Sequence, residues 1–119
     1  MDNASPNNLE LRQELRRRLQ VSLTALDELG QLINGRTTDI SASGLGCMLP
    51  IQMSPGKVLM VSFSLPSRLG GQVVHARARV MNSMLQAEGF RTGLLWTEIA
   101  EETRRKIREF AKPAPFLRM

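Results

Sequence analysis

Three successive runs place apolar side chains at every second position, and they restrict this chain to a sheet-based fold. In residues 57–65, Leu59, Val61, Phe63 and Leu65 alternate with Val58, Met60, Ser62 and Ser64. Residues 72–84 and 89–96 follow, joined by a turn at Gln86-Ala87-Glu88-Gly89. A period of two is that of a strand with one face buried. The same period begins earlier, with Leu19, Val21, Leu23 and Ala25 against Gln20, Ser22 and Thr24. After an Asp27-Glu28-Leu29-Gly30 turn, residues 31–40 read as a second strand, although Asn34-Gly35 is a competing turn signal. Residues 45–49 form a short apolar strand closed by Pro50 and then by Ser54-Pro55-Gly56. Short strands at this spacing, joined by short turns, predict a mainly β fold: a small antiparallel barrel of six or seven strands.

The two ends depart from this pattern. Residues 1–8 are polar and read as a tail. Residues 9–18 are expected to form a short helix, with Leu11 and Leu15 one turn apart and Arg12 and Arg16 sharing a face. So short a helix is marginal without packing, and the arm is expected to be mobile when nothing is bound. A second helix is expected near the C-terminus, with Thr97 as N-cap. Glu98, Glu101 and Glu102 lie at its positive end, and Arg104, Arg105, Lys106, Arg108 and Lys112 lie toward its negative end. Its apolar face, Ile99, Ile107 and Phe110, is suited to plugging an open barrel end, and Pro113 stops it.

With 119 residues the chain is long enough for one domain and a proper core. The net charge of +5 points to an anionic partner: a nucleotide, a nucleic acid or a membrane surface. Cys47 is the sole cysteine and sits in an apolar stretch, so a buried, reduced thiol is expected. The start of the chain has no signal-peptide pattern and no run is long enough to span a bilayer, so a cytoplasmic protein without membrane insertion is expected. No Walker-type phosphate loop, cysteine–histidine pairing or metal-ligand spacing is present, so no enzyme, metal or cofactor is expected. His75 has no second histidine near it and reads as structural or exposed. Trp96 reads as core, Arg77 and Arg79 as solvated, and the methionines mainly as gap-fillers.

Two segments carry the functional reading. Four arginines, Arg12, Arg16, Arg17 and Arg18, fall within seven residues, and Asp39-Ile40-Ser41-Ala42-Ser43-Gly44 follows at the end of a strand. Guanidiniums match phosphate oxygens and the O6/N7 edge of guanine, and they stack on purine faces. A carboxylate at Asp39 can accept from the N1–H and N2–H₂ of guanine, and the Ser41 hydroxyl can reach a phosphate. Gly44 allows either a positive φ or a close backbone approach.

An RxxxR segment followed by DxSxxG at the start of a small barrel resembles the PilZ domain. Asp39, Ser41 and Gly44 match the second motif at every fixed position. Arg12 and Arg16 satisfy the spacing of the first. Alignment on the strand start instead puts Gln20 in place of the second arginine. The resemblance implies a receptor for the bacterial second messenger cyclic di-GMP, with Arg12, Arg16, Arg17, Arg18, Asp39, Ser41 and Gly44 as candidate ligand-binding residues. It divides the chain into a tail (1–11), a PilZ-like domain (12–112) and a C-terminal tail (113–119). It further implies an adapter acting in trans on an unidentified signalling or motility protein, with one or two ligand molecules bound and the oligomeric state open. Two alternatives stand beside it: a PilZ-like interaction domain blind to the nucleotide, and a basic barrel for RNA or single-stranded DNA. The scarcity of aromatic residues (four Phe, one Trp, no Tyr) argues against the nucleic-acid reading.

Overall fold

The computed structural model describes residues 14–66 and 71–113 of the chain. The alternating runs are strands: β1 (Arg16–Arg18), β2 (Ser22–Leu26), β3 (Leu32–Ser41), β4 (Gly44–Leu49), β5 (Val58–Leu65), β6 (Gln72–Gln86) and β7 (Gly89–Glu98). Every pairing is antiparallel, in the order β1-β3-β2-β5-β6-β7-β4, and a β3–β4 ladder closes the last six strands into a barrel. Strand β1 lies outside that closed set. Asn34-Gly35 makes no turn: both residues sit within β3, opposite Thr24 and Leu23. A two-residue reversal there would forfeit ladder bonds that the barrel needs for closure.

The barrel interior is filled by the predicted face of each strand. Leu23, Ala25, Leu59, Val61, Val74 and Val80 are at most 2% exposed. Full burial of each of these leucine and valine side chains is worth about 1.5–3 kcal/mol. Trp96 is core as expected, its ring stacked on Phe63 at 6.4 Å between centroids.

The expected helix over residues 9–18 is corrected where the structure describes it. Arg16–Arg18 form a strand, with Arg16, Arg17 and Arg18 opposite Ser41, Ile40 and Asp39; residues 9–13 lie outside the described residues. So short a segment cannot sustain a helix alone, whereas the outer edge of β3 offers unpaired backbone groups. β1 and β2 run along that same edge with a bulge between them. Leu19, Gln20 and Val21 span the interval that Thr37 and Thr38 span on β3, as Arg18 faces Asp39 and Ser22 faces Arg36. The buried Thr37 hydroxyl resolves the bulge by accepting from the Val21 amide at 2.9 Å and donating to the Leu19 carbonyl.

The C-terminal helix α1 (Glu101–Ala111) is present, with a later start than expected. Ala100 is its N-cap and supplies no side-chain bond, while Thr97 lies within β7. Extension of the β7 ladder as far as the Arg77–Glu98 pair takes the would-be cap into the sheet. Ile107 is fully buried, and Ile99 and Phe110 pack against the core, so the helix closes one barrel end beside β1 and β3.

Cys47 is fully buried, and that burial pushes its thiol from an ordinary 9.0 up to about 12, with Arg91 opposing and Asp39 adding to the rise. A raised acid pKa means the folded protein binds this proton more tightly than the unfolded chain. The contribution to stability is whole below pH 9.0 and is lost as pH climbs toward about 12. The native protein is expected to resist iodoacetamide at about pH 8.5, and the urea-unfolded chain to react readily, as followed by mass spectrometry. Rapid alkylation of the native thiol would contradict this burial.

Candidate functional site

The site is built on an irregularity in β3. Strict alternation from Ile33 through Thr37, both inward, would turn Asp39 into the core. Opposite β4, however, Thr37 faces Cys47 and Asp39 faces Gly46, so Thr38 is an extra residue. The bulge turns Ile40 inward, where it is fully buried, and leaves the Asp39 side chain 25% exposed on the outer surface. Re-aiming a side chain is a common use of a bulge.

Two guanidiniums meet that carboxylate. Arg16 Nη2 lies 3.1 Å from Asp39 Oδ1, and Arg91 Nη2 lies 3.3 Å from Oδ2. Both arginines are nearly half exposed, so each pair contributes only about 0–1 kcal/mol. Their effect is to order the groups rather than to stabilise the fold. Arg16 Nη1 also donates to the Ser41 hydroxyl at 3.4 Å. Ser41 is fully buried beneath this arginine, and its oxygen accepts from the Ser43 amide at 3.3 Å. Trp96 anchors the same turn twice: its amide donates to the Ser43 carbonyl at 2.9 Å and its indole N–H to the Ser41 carbonyl at 3.4 Å. From α1, Arg104 donates to the Ala42 carbonyl at 2.9 Å. Glu14, ahead of β1, accepts from the Ser43 hydroxyl.

Of the two reasons for a glycine at position 44, close approach is the operative one. A Cβ there would lie 2.1 Å from the Leu94 carbonyl oxygen, and no positive φ is involved. Gly46 has a comparable role that the motif alone does not announce. A Cβ on it would stand 2.4 Å from Asp39 Oδ1 and 2.8 Å from Thr38 Oγ1. Its bare backbone lets the Asp39 carboxylate and the Thr38 hydroxyl pack directly over it.

The structure brings Arg16, Arg17, Arg18 and Asp39 together with Gln20, Thr38 and Arg91 around an open basin of about 430 Å³. Four guanidiniums to one carboxylate make it an anion-attracting surface. Arg17 faces the other way from Arg16 along β1: it donates to the Phe110 carbonyl at 2.8 Å, and its guanidinium carbon sits 4.3 Å from the Phe110 ring centroid. Arg18 is exposed opposite Asp39. Arg12 lies outside the described residues. Ser41 and Gly44 build the turn beneath the basin and do not line it. Arg91 was not singled out by sequence. Its signal is the β7 run itself, which returns alongside the strand that the motif opens and sets Arg91 opposite Met48.

The remaining singled-out residues lie elsewhere. His75 is exposed, with Nδ1 2.8 Å from the Ser62 hydroxyl, and Arg77 pairs with Glu98 at 2.9 Å. Among the described residues there is no cluster of metal-ligating side chains, and no helix is long and apolar enough to cross a membrane.

The family model of the PilZ domain matches residues 10–112, and the chain belongs to this family. A search of curated proteins returned no match. Among solved structures the chain is similar to the Bacillus subtilis inhibitor of motility MotI/DgrA, with 20% identity, a TM-score of 0.76, and coverage of 84% of this chain and 49% of that one. It is similar to the PilZ domain of YcgR from Escherichia coli with c-di-GMP, at 13% identity and a TM-score of 0.64, covering 84% of this chain and 88% of that one. It also resembles the K. pneumonia MrkH-c-di-GMP complex, at 18% identity and a TM-score of 0.64, covering 82% of this chain and 48% of that one. At these identities the likeness is one of fold. The chain spans about half the length of the MotI and MrkH structures.

Because a Cβ at position 44 meets backbone rather than a flexible side chain, Gly44→Ala is expected to destabilise the protein by about 1–3 kcal/mol in urea titration. A neutral result would show that β4 and β7 do not approach as closely as described.

Proposed function

We propose that this PilZ domain is a receptor for cyclic di-GMP, whose ligand binds in the basin over Asp39. The observation that carries the reading is the Asp39 carboxylate, turned outward by the Thr38 bulge and held between the guanidiniums of Arg16 and Arg91. A carboxylate aimed out of a basic surface is suited to a ligand with both anionic oxygens and a row of N–H donors. Cyclic di-GMP has both. Asp39 accepts from a guanine edge, while Arg16, Arg18 and Arg91 take phosphate oxygens or stack on purine faces. Ser41 works underneath, keeping the turn and Arg16 in register. Gln20, at the rim, adds a hydrogen-bonding amide without charge. Arg12 is assigned to the same ligand through the family motif. The named complexes of the YcgR PilZ domain and of MrkH with c-di-GMP support this choice of ligand.

Ligand binding then alters a surface that a partner reads. Arg17 lines the basin and also grips the last turn of α1 through the Phe110 carbonyl and ring. A nucleotide that draws Arg17 toward its phosphates loosens that grip, so occupancy of the basin is communicated to the helix that plugs the barrel. Output through a signalling or motility protein in trans is consistent with the similarity to an inhibitor of motility. The setting in which cyclic di-GMP is available is the bacterial cytoplasm. The domain acts by binding rather than by catalysis, and neither nucleic acid nor membrane insertion is part of the reading.

Isothermal titration with cyclic di-GMP tests this. The wild type is expected to bind saturably, and Arg16→Ala and Asp39→Ala each to weaken binding about 10- to 100-fold, the loss of a charge-assisted contact. A folded wild type that ignores cyclic di-GMP would contradict the reading and favour a nucleotide-blind interaction domain. Salt-dependent oligonucleotide binding in its place would favour the nucleic-acid alternative.

A further inference from the structure

Among the described residues one buried side-chain hydroxyl has no hydrogen-bond partner, and it stands at this basin: Thr38 Oγ1. Such a group lowers the stability of the fold, because folding strips its water and returns nothing. Its neighbour Thr37 makes the contrast plain, with a hydroxyl fully used in resolving the β1–β2 bulge. Thr38 is the extra residue of the β3 bulge and lies beside Asp39 at the basin. Its oxygen and Asp39 Oδ1 both pack over Gly46, since a Cβ on that glycine would lie 2.8 Å from one and 2.4 Å from the other. The two nevertheless share no bond in the structure, where Arg16 serves Oδ1 and Arg91 serves Oδ2.

The pairing changes once an anion enters. A phosphate competes for the Arg16 guanidinium and draws it off Oδ1, and the carboxylate must then keep its aim without that donor. We propose that Thr38 is a positioning residue whose hydroxyl donates to Asp39 Oδ1 in the liganded state, keeping the carboxylate directed at the guanine edge. The inference rests on the receptor reading above. It accounts for a half-buried threonine whose hydroxyl is buried and unpaired within the fold. Stability given up at a site for the sake of the bound state is a recurrent trade.

Thr38→Val, which keeps the shape and removes the hydroxyl, separates this role from a structural one. Its melting temperature is expected to equal or exceed that of the wild type. Its affinity for cyclic di-GMP is expected to fall about three- to tenfold, one hydrogen bond's worth. The loss should be smaller for cyclic di-inosine monophosphate, which lacks the guanine amino group that Asp39 reads, so the preference between the two nucleotides narrows. Thr38→Ser should restore both affinity and preference. Wild-type affinity in Thr38→Val, equal weakening toward both nucleotides, or a lowered melting temperature would each overturn the role. A wild type that binds neither nucleotide overturns the receptor reading and this inference with it.

Discussion

Strand β3 is the member on which the rest of the structure depends, because its second half is held along both edges. On one side it joins β4 and closes the barrel; on the other it carries β2 and then β1. A strand so held cannot shift register without opening the barrel, so its irregularities are well determined. The extra residue at Thr38 therefore acts as a fixed device. It changes which face of the strand is inside, buries Ile40 and turns Asp39 out toward the basin. The bulge between β1 and β2 lies against the same segment, where the Thr37 hydroxyl satisfies the backbone it leaves open. Core closure and site geometry thus share one stretch of five residues, 37–41.

The electrostatics follow from that placement. Arg16 and Arg91 are too exposed for their ion pairs with Asp39 to add much stability, yet the carboxylate's neighbours are strongly biased toward positive charge. The carboxylate keeps Arg16 and Arg91 apart and oriented, which lowers the conformational cost of presenting them to an anion. The two arginines reach it from opposite directions. Arg91 belongs to a barrel strand paired on both sides, whereas Arg16 comes from the outer strand β1. One guanidinium is therefore part of the barrel wall, and the other depends on how the arm is laid down.

Much of this was readable in the amino-acid sequence where burial imposes a pattern. The strands β2 to β7 and the closing helix each present one apolar face to a single core, and alternation at Leu59, Val61, Phe63 and Leu65 leaves little choice of structure. The motif residues Asp39, Ser41 and Gly44 were readable for a different reason, since a fixed spacing marks a turn. β1 was not, because all three of its residues are exposed arginines and its strand character comes entirely from the edge of β3. The same absence of an apolar stripe made a helical spacing of Arg12 and Arg16 equally admissible. The Thr38 bulge was hidden because a single inserted residue changes the phase of alternation without changing composition. Thr97 misled as a cap because nothing local reveals that β7 continues to Glu98. Arg91 went unremarked because it is distant in sequence from Asp39, and only the register of β4 against β7 brings it near.

The central claim is that the outward face around Asp39, bounded by β1, the bulged end of β3 and Arg91, receives the nucleotide. Its most direct test is a backbone and arginine side-chain NMR titration of the isotope-labelled protein with cyclic di-GMP. The account predicts that the largest shifts fall on Arg16–Arg18, on residues 38–44 and on the Arg91 guanidinium, with a second set at Phe110 and the last turn of α1. Shifts confined to β5 and β6, on the opposite side of the barrel order, or no shifts at saturating nucleotide, would contradict it.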